Sequence, residues 1–264
     1  MTLEEHFALT QHPFPKAASE AALLRHNGLQ ATLDRLRFAL DRDTIALLVA
    51  ESGCGKSTIL RLFAKSLDAG SYHVLSTSLT TVGPFGLISH LAALTGLRSS
   101  RFKGDTAAAF IAHLRGLPKR TVLLVDEAHL MPDDSLEDLR LLTAGDFDRK
   151  SPFALVLVGQ PLLRERLDEP QHYSLAQRIG VRLRLRPLSE AEMPPFIDRH
   201  LRAAGAKKSL FEPDSVSALF QHTRGVPRLV QNLALSAMLV AMETNKKTVD
   251  SASVQQALAD WEAA

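Results

Sequence analysis

The run Ala50-Glu51-Ser52-Gly53-Cys54-Gly55-Lys56-Ser57 has the residue types a phosphate cradle needs, at the spacing it needs. Small glycines let successive backbone N–H groups converge on a phosphate, and a helix opening at the end of the loop adds partial positive charge. Lys56 would reach the β- and γ-phosphates, the Ser57 hydroxyl would bind Mg²⁺, and the stretch Ser52, Gly53, Cys54, Gly55, Lys56, Ser57 and Thr58 would line the nucleotide. Ala50 stands where the usual pattern has its first glycine, at the start of the turn and away from the phosphate contacts. Cys54 reads as a small filler, because no histidine base lies beside it in sequence.

Two adjacent acids, Asp126 and Glu127, end the apolar run LLVDEAH. Asp126 can hold the Mg²⁺ shell, and Glu127 can orient and deprotonate the water that attacks a γ-phosphate. Acids also end strands simply because the next loop is solvated, so it is the pairing with the loop at 50–57 that gives them meaning. Gln160 ends FALVLVGQ, where ligands of open parallel sheets bind, although a polar residue opening a loop explains it equally well. Arg178 closes a helical stretch and is a candidate arginine finger. Arg182, Arg184 and Arg186 alternate with Val181, Leu183 and Leu185, which fits the wet face of an edge strand better than a site. Arg228 sits beside Pro227 at the start of a helix, placed either to face a nucleotide or to face solvent.

These residues need a scaffold, and the chain alternates strand and helix patterns as a parallel sheet requires. TIALLVA, YHVLSTS, RTVLLVDEAH and SPFALVLVGQ read as strands, joined by VRLRLRP at an edge. AALLRHNGLQATLDRLRFALDRD, STILRLFAKSLDAG, FGLISHLAALTGL and TAAAFIAHLRGL read as helices, with Leu33, Leu36, Phe38 and Leu40 at helical spacing in the first and Gly70 as the C-cap of the second. From Pro187 the patterns are helical only. The expected architecture is an α/β domain over 1–187, with a parallel sheet flanked by helices, and a small all-helical domain over 188–264.

Bulk properties set outer limits. The 264 residues are 45% hydrophobic and 23% charged, ordinary for a globular chain, and no apolar run approaches the ~20 residues that span a bilayer. Acids at the N-terminus argue against a signal peptide, and a single cysteine excludes an internal disulfide, so the cytoplasm is the expected compartment. A net charge of +2 means that any nucleic-acid surface must come from local clustering. Arg98, Arg101 and Lys103 in LRSSRFKGD form such a cluster, which could track DNA phosphates or be a solvated basic loop without a partner.

The ordered set AESGCGKST, LLVDEAH, LVGQ, QRI and GVPRLVQNL, with the opening HFALTQHPFPK, resembles the AAA+ ATPases of the ExeA-like group. That group includes ATPases encoded beside DDE transposases and is similar to the MuB, IstB and TnsC transposition regulators. The resemblance implies a P-loop NTPase with a helical lid, hydrolysis of ATP with Mg²⁺, Gln160 as sensor 1, Arg228 as sensor 2 and Arg178 acting in trans within a homo-oligomeric ring or helical filament. It implies one of two roles. One is a regulator that assembles on duplex DNA with ATP and recruits a DDE-type transposase. The other is an ATPase that energises a secretion or membrane assembly, and a protein-only nucleotide-dependent scaffold is a third possibility. A membrane role normally brings a transmembrane helix and a peptidoglycan-binding region after the ATPase. The sequence stops at Ala264 after the lid, so the expectation is DNA and transposase as partners, with no membrane.

Overall fold

The protein is described by a computed structural model covering residues 2–15, 27–144 and 151–263. They form two compact units. One takes in 31–52 and 56–185; the other takes in 1–30, 53–55 and 186–264.

The first unit is built on a five-stranded sheet in the order β2-β3-β4-β1-β5, with every neighbouring pair parallel. The strands are β1 (Ile45–Val49), β2 (Tyr72–Thr77), β3 (Arg120–Val125), β4 (Ala154–Gly159) and β5 (Ile179–Arg184). The three central strands are continuous apolar runs because both of their faces are covered; every residue of β1 and β4 is buried. Leu47, Leu123 and Leu155 pack against Leu87, Leu91, Phe110 and Leu139 of the flanking helices. Each such side chain contributes roughly 1.5–3 kcal/mol on full burial. β5 lies at the edge, with Ile179, Val181 and Leu183 buried and Gly180, Arg182 and Arg184 exposed, as the period-two pattern requires. Because the strands are parallel, all their C-terminal ends open on one side.

One local expectation is corrected. The helix Lys56–Ser66 stops before Gly70, which does not cap it; Asp68 instead folds the turn, its carboxylate accepting the Gly70 N–H at 3.2 Å and the Ser71 hydroxyl at 2.6 Å. In the helix Asn27–Asp41, Leu33, Leu36 and Leu40 are buried, but Phe38 is 52% exposed under the Arg42 guanidinium. The part of that helical stretch before Asn27, residues 21–26, lies outside the described residues.

The second unit is helical: Met193–Ala203, Pro213–Thr223, Pro227–Glu243 and Ser251–Glu262 surround a core that includes Ile197, Leu201, Leu219, Leu233, Met238 and Val254. The opening segment, expected with the α/β domain, packs here. Leu3, Phe7, Leu9 and Phe14 join this core, Thr10 N–H donates to Ala204 O at 2.8 Å, and the His6 ring meets Lys246 O at 2.7 Å. The helix Pro213–Thr223 ends two residues before Gly225, with Arg224 and Gly225 both in the left-handed region. Among the described residues no helix is long and apolar enough to cross a membrane.

Candidate functional site

Ala50 leaves β1 with its N–H on Gly159 O of β4 at 3.1 Å, and the chain then turns through 51–55 into the helix Lys56–Ser66. Gly53 and Gly55 make the turn possible, with φ of 79° and 91°. Nothing lies within 4 Å of a Cβ built on Gly55, so the backbone angle rather than space selects glycine there. The first turn of the helix carries no acid, so no side-chain carboxylate of that turn competes with an anion for its N–H groups. Lys56 is buried, and its ammonium donates to Ala50 O at 3.0 Å and Glu51 O at 3.1 Å. Those carbonyls hold the charge at the loop, in reach of any phosphate lying in it. Cys54 is buried within the same turn.

The loop and the acids meet. Ser57 Oγ donates to Asp126 Oδ2 at 2.8 Å, although the two residues lie 69 apart in sequence. Asp126 Oδ1 accepts the Glu127 N–H at 2.9 Å, which fixes the rotation of the carboxylate. Adjacent hydroxyl and carboxylate oxygens are hard donors of the kind Mg²⁺ takes from a protein, with waters and phosphates completing its shell, so Ser57 and Asp126 fit that ion.

Glu127 has φ 53° and ψ 31°, a left-handed conformation that costs a side-chain-bearing residue roughly 1 kcal/mol or more. Its surroundings hold it there. Thr80, fully buried at the exit of β2, donates its hydroxyl to Glu127 O at 3.1 Å, and the carboxylate stands 3.6 Å from the Nε2 of buried His129. The carboxylate itself is about a third exposed, open to solvent on one side. Thr80 carried no signal in the sequence. His129 stood in view in VDEAH, but nothing local distinguishes it from a core histidine.

Gln160 begins the helix Pro161–Leu167 at the end of β4, half-buried, and its side chain does not cap that helix. Arg178 ends the helix Tyr173–Gln177, and its carbonyl accepts from the Thr44 hydroxyl at 3.0 Å. Glu137 is held below the usual carboxylate range chiefly by Arg140, with smaller contributions from His172 and Arg178. Arg182 is taken up by Ala176 O at 3.0 Å and Arg186 by the Glu192 carboxylate, so these alternating arginines serve local structure. In the helical unit, Arg228 lies in the first turn of Pro227–Glu243, and its N–H donates to Gly53 O at 3.2 Å.

The basic trio divides. Arg98 and Arg101 are exposed, whereas the Lys103 ammonium sits 2.6 Å from Asp138 Oδ1, a carboxylate only 8% exposed. Lys103 thus spends its charge within its own unit.

Comparison with known proteins bears on the fold that carries these residues. The model of the AAA domain matches residues 39–167. Among curated proteins, General secretion pathway protein A of Aeromonas hydrophila is 31% identical over 252 residues, which is 90% of this chain but 44% of that protein, so the chain spans less than half of that relative. Among solved structures, the Aeropyrum pernix ORC1 protein in complex with DNA superposes with a TM-score of 0.69 at 21% identity, covering 95% of this chain and 68% of that one. Cdc6p from Pyrobaculum aerophilum does so at 0.66 and 18%, covering 93% and 68%. Residues 39–167 are thus similar to the AAA domain, and the chain has the five-stranded parallel α/β fold seen in AAA+ ATPases, with helices at its C-terminal side.

Proposed function

We propose that this chain is a cytoplasmic Mg²⁺-dependent ATPase that forms a homo-oligomer on duplex DNA in its ATP-bound state, marks a target and recruits or activates a DDE-type transposase. The observation that carries the ATPase part is the Ser57–Asp126 hydrogen bond, which sets two oxygen ligands beside Lys56 and Glu127. Lys56 exchanges its loop carbonyls for phosphate oxygens. Glu127 orients the attacking water and takes its proton, and Gln160 senses the γ-phosphate or positions that water. Bound Mg²⁺ supplies neutralisation of phosphate charge through Ser57 and Asp126. Arg178 serves a neighbouring subunit's nucleotide, and Arg228 ties the helical unit to nucleotide occupancy.

Support for DNA comes from exposed Arg98 and Arg101, and from the likeness of the fold to an ORC1 protein captured with DNA. The relative named for the general secretion pathway favours a second reading, in which the same ATPase drives a secretion assembly.

Sedimentation of the purified chain with ADP or a non-hydrolysable ATP analogue, with and without duplex DNA of arbitrary sequence, separates them. Large assemblies that need both the analogue and DNA support the first reading. Assembly in the analogue that ignores DNA overturns it in favour of a protein partner. Turnover at the wild-type rate in Glu127→Gln would overturn the assigned base.

A further inference from the structure

Phe102 is the most exposed large apolar side chain among the described residues, at 64%, and it is also the N-cap of the helix Lys103–Gly116. Both facts count against it as a structural choice. An exposed ring forgoes the stabilisation of burial, and a phenylalanine cannot accept a hydrogen bond from the orphan N–H groups that serine, threonine, asparagine or aspartate would satisfy. No side chain caps this helix.

The loop that presents the ring is nonetheless stiff. Thr106 is 1% exposed; its hydroxyl accepts the Ser100 N–H at 2.9 Å and donates to Phe102 O at 3.2 Å. The Phe102 N–H returns to Ser100 Oγ at 3.3 Å, and the Ser100 hydroxyl donates to the exposed Asp105 carboxylate at 3.2 Å. Lys103 pins the next residue to Asp138. The ring is therefore held out on a fixed platform, which lowers the ordering cost of binding.

Its neighbours identify the partner. A protein interface surrounds an aromatic anchor with other apolar groups. Here the flanking residues are Arg98, Ser99, Ser100, Arg101 and Gly104, and the Arg101 guanidinium lies 6.0 Å from the ring centroid. Neither Arg98 nor Arg101 has an ion-pair partner among the described residues. Cations beside an exposed aromatic ring match a ligand that alternates phosphates with base faces.

We infer that Phe102 is a base-contacting wedge for duplex DNA, inserted at a base step while Arg98 and Arg101 hold the flanking phosphates. This inference rests on the DNA-binding reading given under Proposed function. Ring contact is sequence-tolerant because every base offers a π-face, so it adds affinity without a recognition sequence.

The test uses the full chain with a non-hydrolysable ATP analogue and either a duplex or the matching single strand, titrated by anisotropy across salt concentrations. Phe102→Ala is expected to lower duplex affinity about tenfold with the salt slope unchanged, because stacking and charge are separate contributions. Arg101→Ala is expected to lower both affinity and slope, the slope by about 0.9. In a Trp261→Phe background, Phe102→Trp should show emission quenched on adding duplex. The exposed position makes the thermal midpoint a control that stays at the wild-type value.

If wild type and Arg101→Ala behave as expected while Phe102→Ala binds like wild type and the tryptophan emission does not change, the wedge is refuted and DNA binding stands. Tenfold tighter binding and stronger quenching on the single strand would overturn the duplex assignment. Absence of any DNA binding by the wild type would overturn the parent reading and the wedge with it.

Discussion

Lys103→Ala should reduce stability rather than DNA affinity. The Lys103 ammonium is 2.6 Å from Asp138 Oδ1, yet the partners are unequal: the lysine side chain is 42% exposed and the aspartate 8%. An exposed cation makes the attraction itself modest, about 1 kcal/mol or less after solvent screening. The larger consequence falls on Asp138. Its Oδ2 is already buried with no hydrogen-bond partner among the described residues, so removing the ammonium leaves both oxygens without a charged partner in a nearly dry pocket. Orphaning such a group costs about 1–3 kcal/mol, and we take ~2 kcal/mol as the expected loss. For a domain of this size that corresponds to roughly 4–8 °C in the thermal midpoint. Circular dichroism melts of Lys103→Ala, Asp138→Asn and the double variant give the comparison. The double variant should be more stable than the sum of the singles implies, because it leaves no charge stranded. A Lys103→Ala protein that melts like wild type but binds DNA with a shallower salt slope would refute this account and return Lys103 to the DNA surface with Arg98 and Arg101.

Other outcomes follow from the same contacts. Thr80→Val removes the hydroxyl that holds the strained Glu127 carbonyl, and steady-state assays should find kcat lower by about tenfold with KM little changed, for a hydrogen bond of ~1.4 kcal/mol. Glu127→Gln should keep nucleotide binding and stabilise the ATP-bound assembly while turnover falls by at least about a hundredfold, measurable by phosphate release. Burial pushes the His200 pKa below its ordinary value. Burial, helped by the charge of Arg199, outweighs the opposing hydrogen bond from the ring Nδ1–H to Phe196 O at 2.9 Å, so the neutral ring is favoured, and this stability is complete above the unfolded pKa of about 6.5 and lost as pH falls below it. Melts between pH 7 and 5 should decline less steeply in His200→Gln. Asp250 is held far below the usual carboxylate range by Lys246 first and then by the Ser253 hydroxyl and N–H. Its contribution is present at neutral pH and is lost only as pH falls from about 4 towards its lower folded value; Asp250→Ala should cost about 1 kcal/mol at pH 7 and progressively less in acid, read by denaturant melts.

What could be read from sequence was what is decided locally. The apolar runs of β1, β3 and β4 must lie inside a covered sheet, the alternation Val181-Arg182-Leu183-Arg184 must lie at an edge, and Gly53 to Ser57 must make a tight turn from strand to helix. What was missed depends on partners far away in the chain. Nothing within LEEHFALTQHPF says that Leu3 and Phe7 pack against helices two hundred residues later, because five helical residues show no periodicity strong enough to declare a buried face. Lys103 looked like its neighbours Arg98 and Arg101 until Asp138 appeared beside it. Thr80 and the left-handed Glu127 are visible only once β2 and β3 lie side by side.

That last case shows how sheet order turns separate motifs into one site. β1 leads into the loop at 50–57 and β3 into the acids, and they are not neighbours; β4 lies between them. The Ser57–Asp126 bond therefore bridges over the end of β4, and the residue at that end is Gln160. On the far side of β3, β2 delivers Thr77 to the Asp126 N–H at 2.8 Å and Thr80 to the Glu127 carbonyl. Each acid is thus gripped through its backbone from β2, while Asp126 is also engaged through its side chain by the loop after β1. A carboxylate held from two strands keeps its position whether or not a phosphate is near, and that preorganisation would lower the reorganisation needed in the proposed hydrolysis. The strain at Glu127 is tolerated for the same reason: the alternative backbone angle would break the Thr80 bond and turn the carboxylate away from the open side of the site.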